Sequence, residues 1–244
     1  MIWKNFYPNQ ALLSGAWFIL QEKSPHNKLL IKKEEMIMPE QNDKLAAYQK
    51  KRNSNTTPEP QGELLDLDWA ESRPVFVIQK HDASSLHYDF RIEVDGVLKS
   101  WAVPKGPSTD PGEKRLAIPT EDHPLAYANF EGVIPEDEYG GGTVLIWDRG
   151  SYHNLKEDQD QKESSPVTKQ IENGHVTLWL EGEKLKGGYA LIQTSSGEDT
   201  RWLLIKMDDE EADARRNPTS TEPASVKTGR ILEDIRQQEE ANSE

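Results

Sequence analysis

The chain contains no cysteine. Disulfides, thiolate metal sites and cysteine nucleophiles are excluded, so any metal centre must be built from imidazole and carboxylate groups. No apolar run reaches the roughly 18–20 residues that a membrane span needs. No membrane partner is expected, and the cytoplasm is the simplest location. Cations are scarce as well: 29 Lys and Arg face 43 Asp and Glu, a net charge of −14. That balance argues against coating nucleic acid through a broad basic groove. It leaves room for an enzyme that grips one strand end through a few local cations and a metal. Hydrophobic residues make up only 34% of the 244 residues and charged ones 30%, so part of the chain is expected to lie outside any core.

Helical periodicity is almost absent after Pro74. Short alternating or β-rich runs take its place: Val75–Gln79, Leu86–Val94, Val97–Val103, Arg115–Pro119, Thr143–Asp148, His175–Glu181, Gly187–Thr194 and Trp202–Lys206. Asp95-Gly96 joins the second and third as a strong hairpin signal. About eight short antiparallel strands with turns between them predict a mainly β domain over residues 75–209, a barrel or a sandwich. The charged stretch 156–170 reads as a solvent loop. Residues 210–244 read as an acidic, flexible tail with a short helix near 231–240.

The chain before residue 75 has a different character. Residues 1–37 contain the apolar run Ala11–Leu20, which resembles a weak signal peptide without a nearby small-x-small cleavage site. Lys33-Glu34-Glu35 can be encoded by a purine-rich ribosome-binding sequence just before Met36 and Met38. Translation is therefore expected to start at Met38 or Met36, with the leader not native. Residues 38–74 read as a polar helix from Asn42 to Arg52, capped by Asn42 or Asp43, followed by an extended arm rich in Asn, Thr and Pro.

The most informative stretch runs from Gln79 to Arg91. At a period of two, Leu86, Tyr88, Phe90, Ile92 and Val94 take one face, and His87, Asp89, Arg91 and Glu93 the other. His81 stands across the short link Asp82-Ala83-Ser84-Ser85, which can fold its ring back beside His87. Two imidazoles and a carboxylate suit Mn²⁺, Fe²⁺ or Zn²⁺. Arg91 is placed to hold an anionic oxygen. The plain alternative is the solvated face of a half-exposed strand.

A second polar cluster, Thr120 to Tyr127, offers His123 as phosphate ligand or general acid and Tyr127 as hydroxyl donor. The plain alternative there is a surface turn ended by Pro124. Lys105 and Arg115 join Arg91 as candidate phosphate clamps, whereas Lys114 reads as an ordinary surface lysine. Glu138-Tyr139-Gly140-Gly141-Gly142-Thr143 lacks the Gly-Lys-Ser/Thr ending of a phosphate loop and precedes a strand. It reads as a close backbone approach at a barrel corner.

Several segments together resemble a known family. Phe76–Ala83, Leu86–Arg91, Leu98–Pro107, Glu121–Pro124, Phe130–Pro135, Tyr139-Gly140, Gly142–Val144, Gly182–Gly187 and Trp202–Lys206 are similar, in order, to the 3′-phosphoesterase domain of bacterial ATP-dependent DNA ligase D. The similarity extends over roughly Leu45 to Asp209. It implies a compact β-barrel that heals DNA 3′ ends in nonhomologous end joining. The implied chemistry is Mn²⁺-dependent, other divalent transition metals being possible substitutes: removal of a 3′-terminal ribonucleoside, then hydrolysis of the 3′-phosphate to a 3′-hydroxyl. By the same resemblance His81, His87 and Asp89 match the metal ligands, and Arg91, His123 and Tyr127 the residues around the scissile phosphate. Glu121, Lys105 and Arg115 match further active-site positions, and Arg52 and Glu59 the arm.

Two departures stand out. The family usually has aspartate after the arm arginine, whereas this chain has Asn53, an amide that cannot act as base or salt-bridge partner. Ser225–Arg230 resembles the linker before the ligase module, and the chain stops soon after. It is therefore expected to be free-standing, meeting DNA ligase, end-joining polymerase or Ku in trans on primer-template DNA ends. Two other readings remain: a catalytically silent DNA-end or ligase-binding module, and a metal phosphoesterase acting on RNA or small nucleotides.

Overall fold

The computed structural model describes residues 44–54, 56–62, 69–70, 74–156 and 166–243. The leader 1–37, the proposed caps Asn42 and Asp43, and most of the charged loop lie outside them. Ten strands form the domain: β1 Val75–Asp82, β2 Leu86–Val94, β3 Val97–Val103, β4 Lys114–Pro119, β5 His123–Pro124, β6 Gly132–Ile134, β7 Gly142–Asn154, β8 His175–Gly182, β9 Lys186–Ser195 and β10 Arg201–Lys206. The pairing order β1-β2-β3-β4-β10-β9-β8-β7 closes on itself through β1–β7, giving an eight-stranded antiparallel barrel. β5 pairs with β3 and β6 with β7, both outside that ring. Closure leaves the ring without open edges.

Local chemistry explains the strands. Asp95 and Gly96 have φ of 50° and 81°, the two positive values a tight hairpin turn between β2 and β3 requires. The inner face carries Phe76, Ile78, Tyr88, Phe90, Ile92, Trp101, Trp147 and Leu204, members of one buried cluster. Between Ile78 and Gln79 the β1–β7 register slips, and the resulting bulge turns Asp148 inward, where it is fully buried. Its carboxylate accepts the backbone N–H groups of Lys184 and Leu185 at 2.9 and 2.8 Å.

The outer face of β1, β2 and β3 is also covered. Val75, Val77, Leu98, Val144 and Ile146 form a second buried cluster with Tyr127, Phe130 and Tyr48. Its cover consists of a 3₁₀ turn at Leu125–Asn129 and helix α1, Ala46–Lys50. The polar face of β2 is therefore roofed, not solvated: every residue from Tyr88 to Ile92 is buried. The plain alternative of a surface turn at His123-Pro124 does not hold: the two residues form strand β5, and both are buried.

Two other expectations change. Within the charged stretch, Val167–Glu172 forms helix α2, anchored by buried Gln170. The segment after residue 209, expected as a flexible tail, packs along the barrel. It contains α3, Pro218–Thr221, and α4, Leu232–Ser243. Ile235 of α4 is 1% exposed within the inner cluster's contacts. The Val226 N–H reaches the Ile146 carbonyl at 2.9 Å. Glu131 accepts Arg230 Nη2 at 2.8 Å, and Trp147 Nε1 donates to the Glu222 carbonyl at 2.8 Å. Acidic composition concealed these few apolar and hydrogen-bonding anchors. No helix among the described residues is long and apolar enough to cross a membrane.

Candidate active site on the barrel flank

The β1–β2 register sets His81 directly opposite His87 and Gln79 opposite Asp89, so these side chains share the outer face. The link Ala83–Ser85 is the hairpin turn that brings the imidazoles together, with ring centroids 4.7 Å apart. His81 Nδ1 and His87 Nε2 lie 3.5 and 3.7 Å from Asp89 Oδ2. One donor atom from each of the three residues falls within 4.8 Å of the others.

The group fits a divalent transition metal. His87 Nδ1 lies 2.9 Å from the Ser85 carbonyl; donating its hydrogen there leaves the Nε2 lone pair facing Asp89. His81 Nε2 is buried with no hydrogen-bond partner. Burial pushes the Asp89 carboxyl up, but the Arg91 guanidinium and a hydrogen bond from His81 outweigh it and hold the group well below the usual carboxylate range. An ionised carboxylate and two imidazoles make a donor set of the right hardness.

Arg91 adjoins this group one pleat along. Its Nε donates to Gln79 Oε1 at 2.7 Å and its Nη2 to Asp89 Oδ2 at 3.1 Å. Nη1 lies 3.0 Å from His123 Nδ1. Gln79 is fixed in turn by donating to the carbonyls of Tyr127 and Phe130. The guanidinium is thus oriented before any ligand arrives, with donors to spare.

The arm completes the site. Arg52 Nε donates to Glu59 Oε1 at 2.9 Å, Nη1 to Glu121 Oε1 at 2.9 Å, and Nη2 lies 3.4 Å from His123 Nε2. Tyr127 donates its hydroxyl to the same Glu59 oxygen at 2.8 Å. His123 therefore sits between two guanidiniums. Burial, reinforced by Arg91 and then Arg52, presses its imidazole well below the ordinary range and keeps it neutral. Burial and Glu59 push the Tyr127 phenol well above its ordinary value, so it stays protonated. Burial raises the Glu121 carboxyl, but hydrogen bonds from Arg52 and Lys51 bring it below normal.

The structure thus gathers His81, His87, Asp89, Arg91, His123, Tyr127, Glu121, Arg52 and Glu59. Asn53 is exposed in the arm, where its carbonyl accepts the N–H groups of Thr56 and Thr57. Lys105 stands exposed in the turn after β3, whose Val103 pairs with Tyr88, the neighbour of His87. Arg115 is not brought to this group. Register aligns it opposite Leu204, on the face of Ala117 and the inner core, and its guanidinium pairs with Glu113.

Three contributors escape a reading of strand patterns. Tyr48 lies under the Arg52 guanidinium at 3.8 Å and edge-on to His123 at 5.0 Å. Lys51 bonds Glu121 and the Tyr139 hydroxyl, both at 3.0 Å. Gln79 orients Arg91. The Tyr48-to-Arg52 spacing of one helical turn is the signal that was available for the first.

The flank of the closed barrel thus bears a metal-competent His-His-Asp group beside the buried guanidiniums of Arg91 and Arg52. Residues 79–193 match the profile of the DNA Ligase D 3′-phosphoesterase domain. The chain is 47% identical over 191 residues to the multifunctional non-homologous end joining protein LigD of Pseudomonas aeruginosa, covering 77% of this chain and 22% of that protein. It is 43% identical over 172 residues to the LigD of Mycolicibacterium smegmatis, covering 69% and 21%. The multifunctional non-homologous end joining DNA repair protein LigD of Mycobacterium tuberculosis is 43% identical over 171 residues, covering 68% and 20%. The chain carries a domain of the DNA ligase D 3′-phosphoesterase family. It spans about a fifth of the length of these relatives.

Proposed function

We infer that this protein hydrolyses phosphoesters at DNA 3′ ends during non-homologous end joining, using a divalent metal, Mn²⁺ in particular, held by His81, His87 and Asp89. The observation that carries the reading is the packing of the His123 ring between the Arg91 and Arg52 guanidiniums, 3.0 and 3.4 Å from its two nitrogens, with Arg91 donating to Asp89 of the metal-competent group. It accompanies membership of a family described by 3′-phosphoesterase activity. The substrates are a primer-template ending in one ribonucleotide, whose nucleoside is removed, and one ending in 3′-phosphate, which becomes a 3′-hydroxyl. Ligase, polymerase or Ku would meet the product.

A bound metal would supply Lewis acidity towards a phosphoryl oxygen. The remaining work falls to the chain itself. Arg91 and Arg52 bind the phosphate and offset charge that grows on its oxygens, preorganised by Gln79, Glu59 and Glu121. Burial and, after it, their positive field keep His123 neutral in the free protein. A phosphate anion between them offsets that field, so His123 takes up a proton and is placed to pass it to the departing sugar oxygen. Tyr127 holds Glu59 in position. Asn53 contributes no charge, and ribonucleoside removal is the step its amide would slow. Lys105, exposed at the same barrel end, would contact the strand backbone.

Incubation with both primer-templates, with and without Mn²⁺, tests this reading. Metal-dependent conversion of both is expected, without competition by excess mononucleotides. Loss of ribonucleoside removal alone places the defect at Asn53. Binding of the ends without turnover would favour a silent end-binding module, and strong mononucleotide competition a small-nucleotide phosphoesterase.

A further inference from the structure

On the edge of β7 that faces away from β1, one stretch has no strand beside it. β6 pairs only as far as Gly132 opposite Val144, and β8 begins at Gly182 opposite Gly150. Ile146 lies in the gap. Its N–H donates to Glu131 Oε2 at 3.1 Å, and its carbonyl accepts the Val226 N–H at 2.9 Å. A carboxylate and the C-terminal segment thus satisfy groups that a neighbouring strand would otherwise pair.

Glu131 is the junction, with a side chain only 2% exposed. Besides the Ile146 N–H, it accepts the hydroxyls of Ser225 and Thr228, both at 2.5 Å, and Arg230 Nη2 at 2.8 Å. All three donors belong to one loop, Ser225–Arg230, closed on itself by the Ser225 N–H to the Arg230 carbonyl at 2.7 Å. Lys227 of the same loop donates to the Asn129 carbonyl at 2.7 Å. The loop therefore grips the chain on both sides of Phe130. On the inner side, the carbonyls of Phe130 and Tyr127 accept the Gln79 amide at 2.9 and 3.1 Å. Gln79 Oε1 in turn accepts Arg91 Nε at 2.7 Å.

Resting on the functional reading above, we propose that the loop Ser225–Arg230, anchored on Glu131, is a positioning element of the active site. It fixes the backbone at 129–131, which fixes the Gln79 amide, which aims the Arg91 guanidinium. Glu131 and the loop act through these groups and not on the substrate. A stretch whose sequence resembles a linker between modules thus serves the site from within the domain.

The test uses the full chain in two variants. Thr228→Val/Arg230→Met removes both loop donors to Glu131 Oε1 and spares the buried carboxylate. Glu131→Gln keeps the shape of the side chain and weakens every bond made to it. Arg216→Met is the control, because Arg216 ties the same segment to Glu222 and to the Lys184 carbonyl at 2.9 and 2.7 Å, neither within 127–131. Hydrogen exchange of the Arg91 Nε–H, followed by NMR in metal-free protein, reads the guanidinium directly. It should speed up about tenfold in both variants, the size of one loosened hydrogen bond to a charged group. Turnover of a 3′-phosphorylated primer-template at saturating Mn²⁺ should fall about tenfold with it. Arg230→Lys, which keeps a cation at Glu131, should retain most of both, and Arg216→Met should match the wild type. A role confined to stability would shift the urea midpoint alone. Unchanged Arg91 exchange in both variants overturns the proposal and leaves the functional reading standing. So does faster exchange without loss of turnover, or an equal change in Arg216→Met. Faster exchange in variants of a wild type inactive on the 3′-phosphate supports the positioning and overturns the functional reading instead.

Discussion

Glu59 is the latch that joins the arm to the barrel. It is 3% exposed and accepts from Arg52, Tyr127 and Thr57 at 2.9, 2.8 and 2.8 Å. Glu59→Ala leaves a buried guanidinium and a buried phenol without their acceptor. Breaking a buried ion pair from one side costs about 3–5 kcal/mol, and the lower end applies because Arg52 keeps Glu121. The arm's other anchors include the buried side chains of Tyr48 and Leu45 and the Lys51 bonds to Glu121 and Tyr139, so the loss should appear as local opening of the arm more than as unfolding of the barrel. Native-state hydrogen exchange reads it directly. Protection of the Gln49 and Thr57 amides, bonded to Leu45 and Asn53 carbonyls, should fall about 10²-fold, the equivalent of roughly 3 kcal/mol. Turnover should fall with it, since Arg52 loses its orientation. The double variant Arg52→Met/Glu59→Leu should regain much of the protection, having no buried charge to strand, but not the turnover. Amide protection unchanged in Glu59→Ala would refute the latch.

Three further outcomes follow from particular contacts. His87→Ala and Asp89→Ala should each abolish calorimetric Mn²⁺ binding; Asp89→Ala should also destabilise the fold, because it strands Arg91 Nη2. Gly142→Ala should cost about 1–3 kcal/mol in urea unfolding: its φ is 140°, and a Cβ would fall 2.2 Å from the Asp82 carbonyl oxygen. An unshifted midpoint would contradict that close approach. Burial raises the Asp148 carboxyl from its ordinary 3.8 to about 6, even with two backbone N–H donors. A raised value in the folded state means its stabilising contribution is full below about pH 4 and is lost as pH rises through 6. The stability advantage of the wild type over Asp148→Asn should therefore grow by up to about 3 kcal/mol from pH 7 to pH 4. A pH-independent difference would argue against the raised value.

The eight ring strands were legible from turn signals such as Asp95-Gly96 and from inward residues at a period of two, although the second half of β7, beyond Asp148, was not. The three metal-competent residues were legible for the same reason, since a tight hairpin after His81 necessarily faces it with His87. What alternation could not reveal is that the polar side of β2 is buried. Burial there depends on Tyr48, Tyr127 and Phe130, which are distant in sequence and roof the strand through tertiary packing. His123-Pro124 looked like a turn because a two-residue strand outside the ring carries no periodicity. Arg115 fits a cationic motif by composition, but strand parity directs it to the opposite face from Arg91. The helix near 231–240 was legible, but its packing on the barrel was hidden by its charge, because a single buried isoleucine, Ile235, carries much of its apolar anchoring.

The central claim is that the flank of this barrel is a metal-dependent 3′-phosphoesterase centre. The most direct measurement is release of inorganic phosphate from a 3′-phosphorylated primer-template by metal-stripped protein, with Mn²⁺ added back, in the wild type and Asp89→Ala side by side. Activity restored by Mn²⁺ in the wild type and absent from Asp89→Ala at every metal concentration is the predicted result. Equal phosphate release by the two proteins, or release by the stripped wild type without metal, would contradict it.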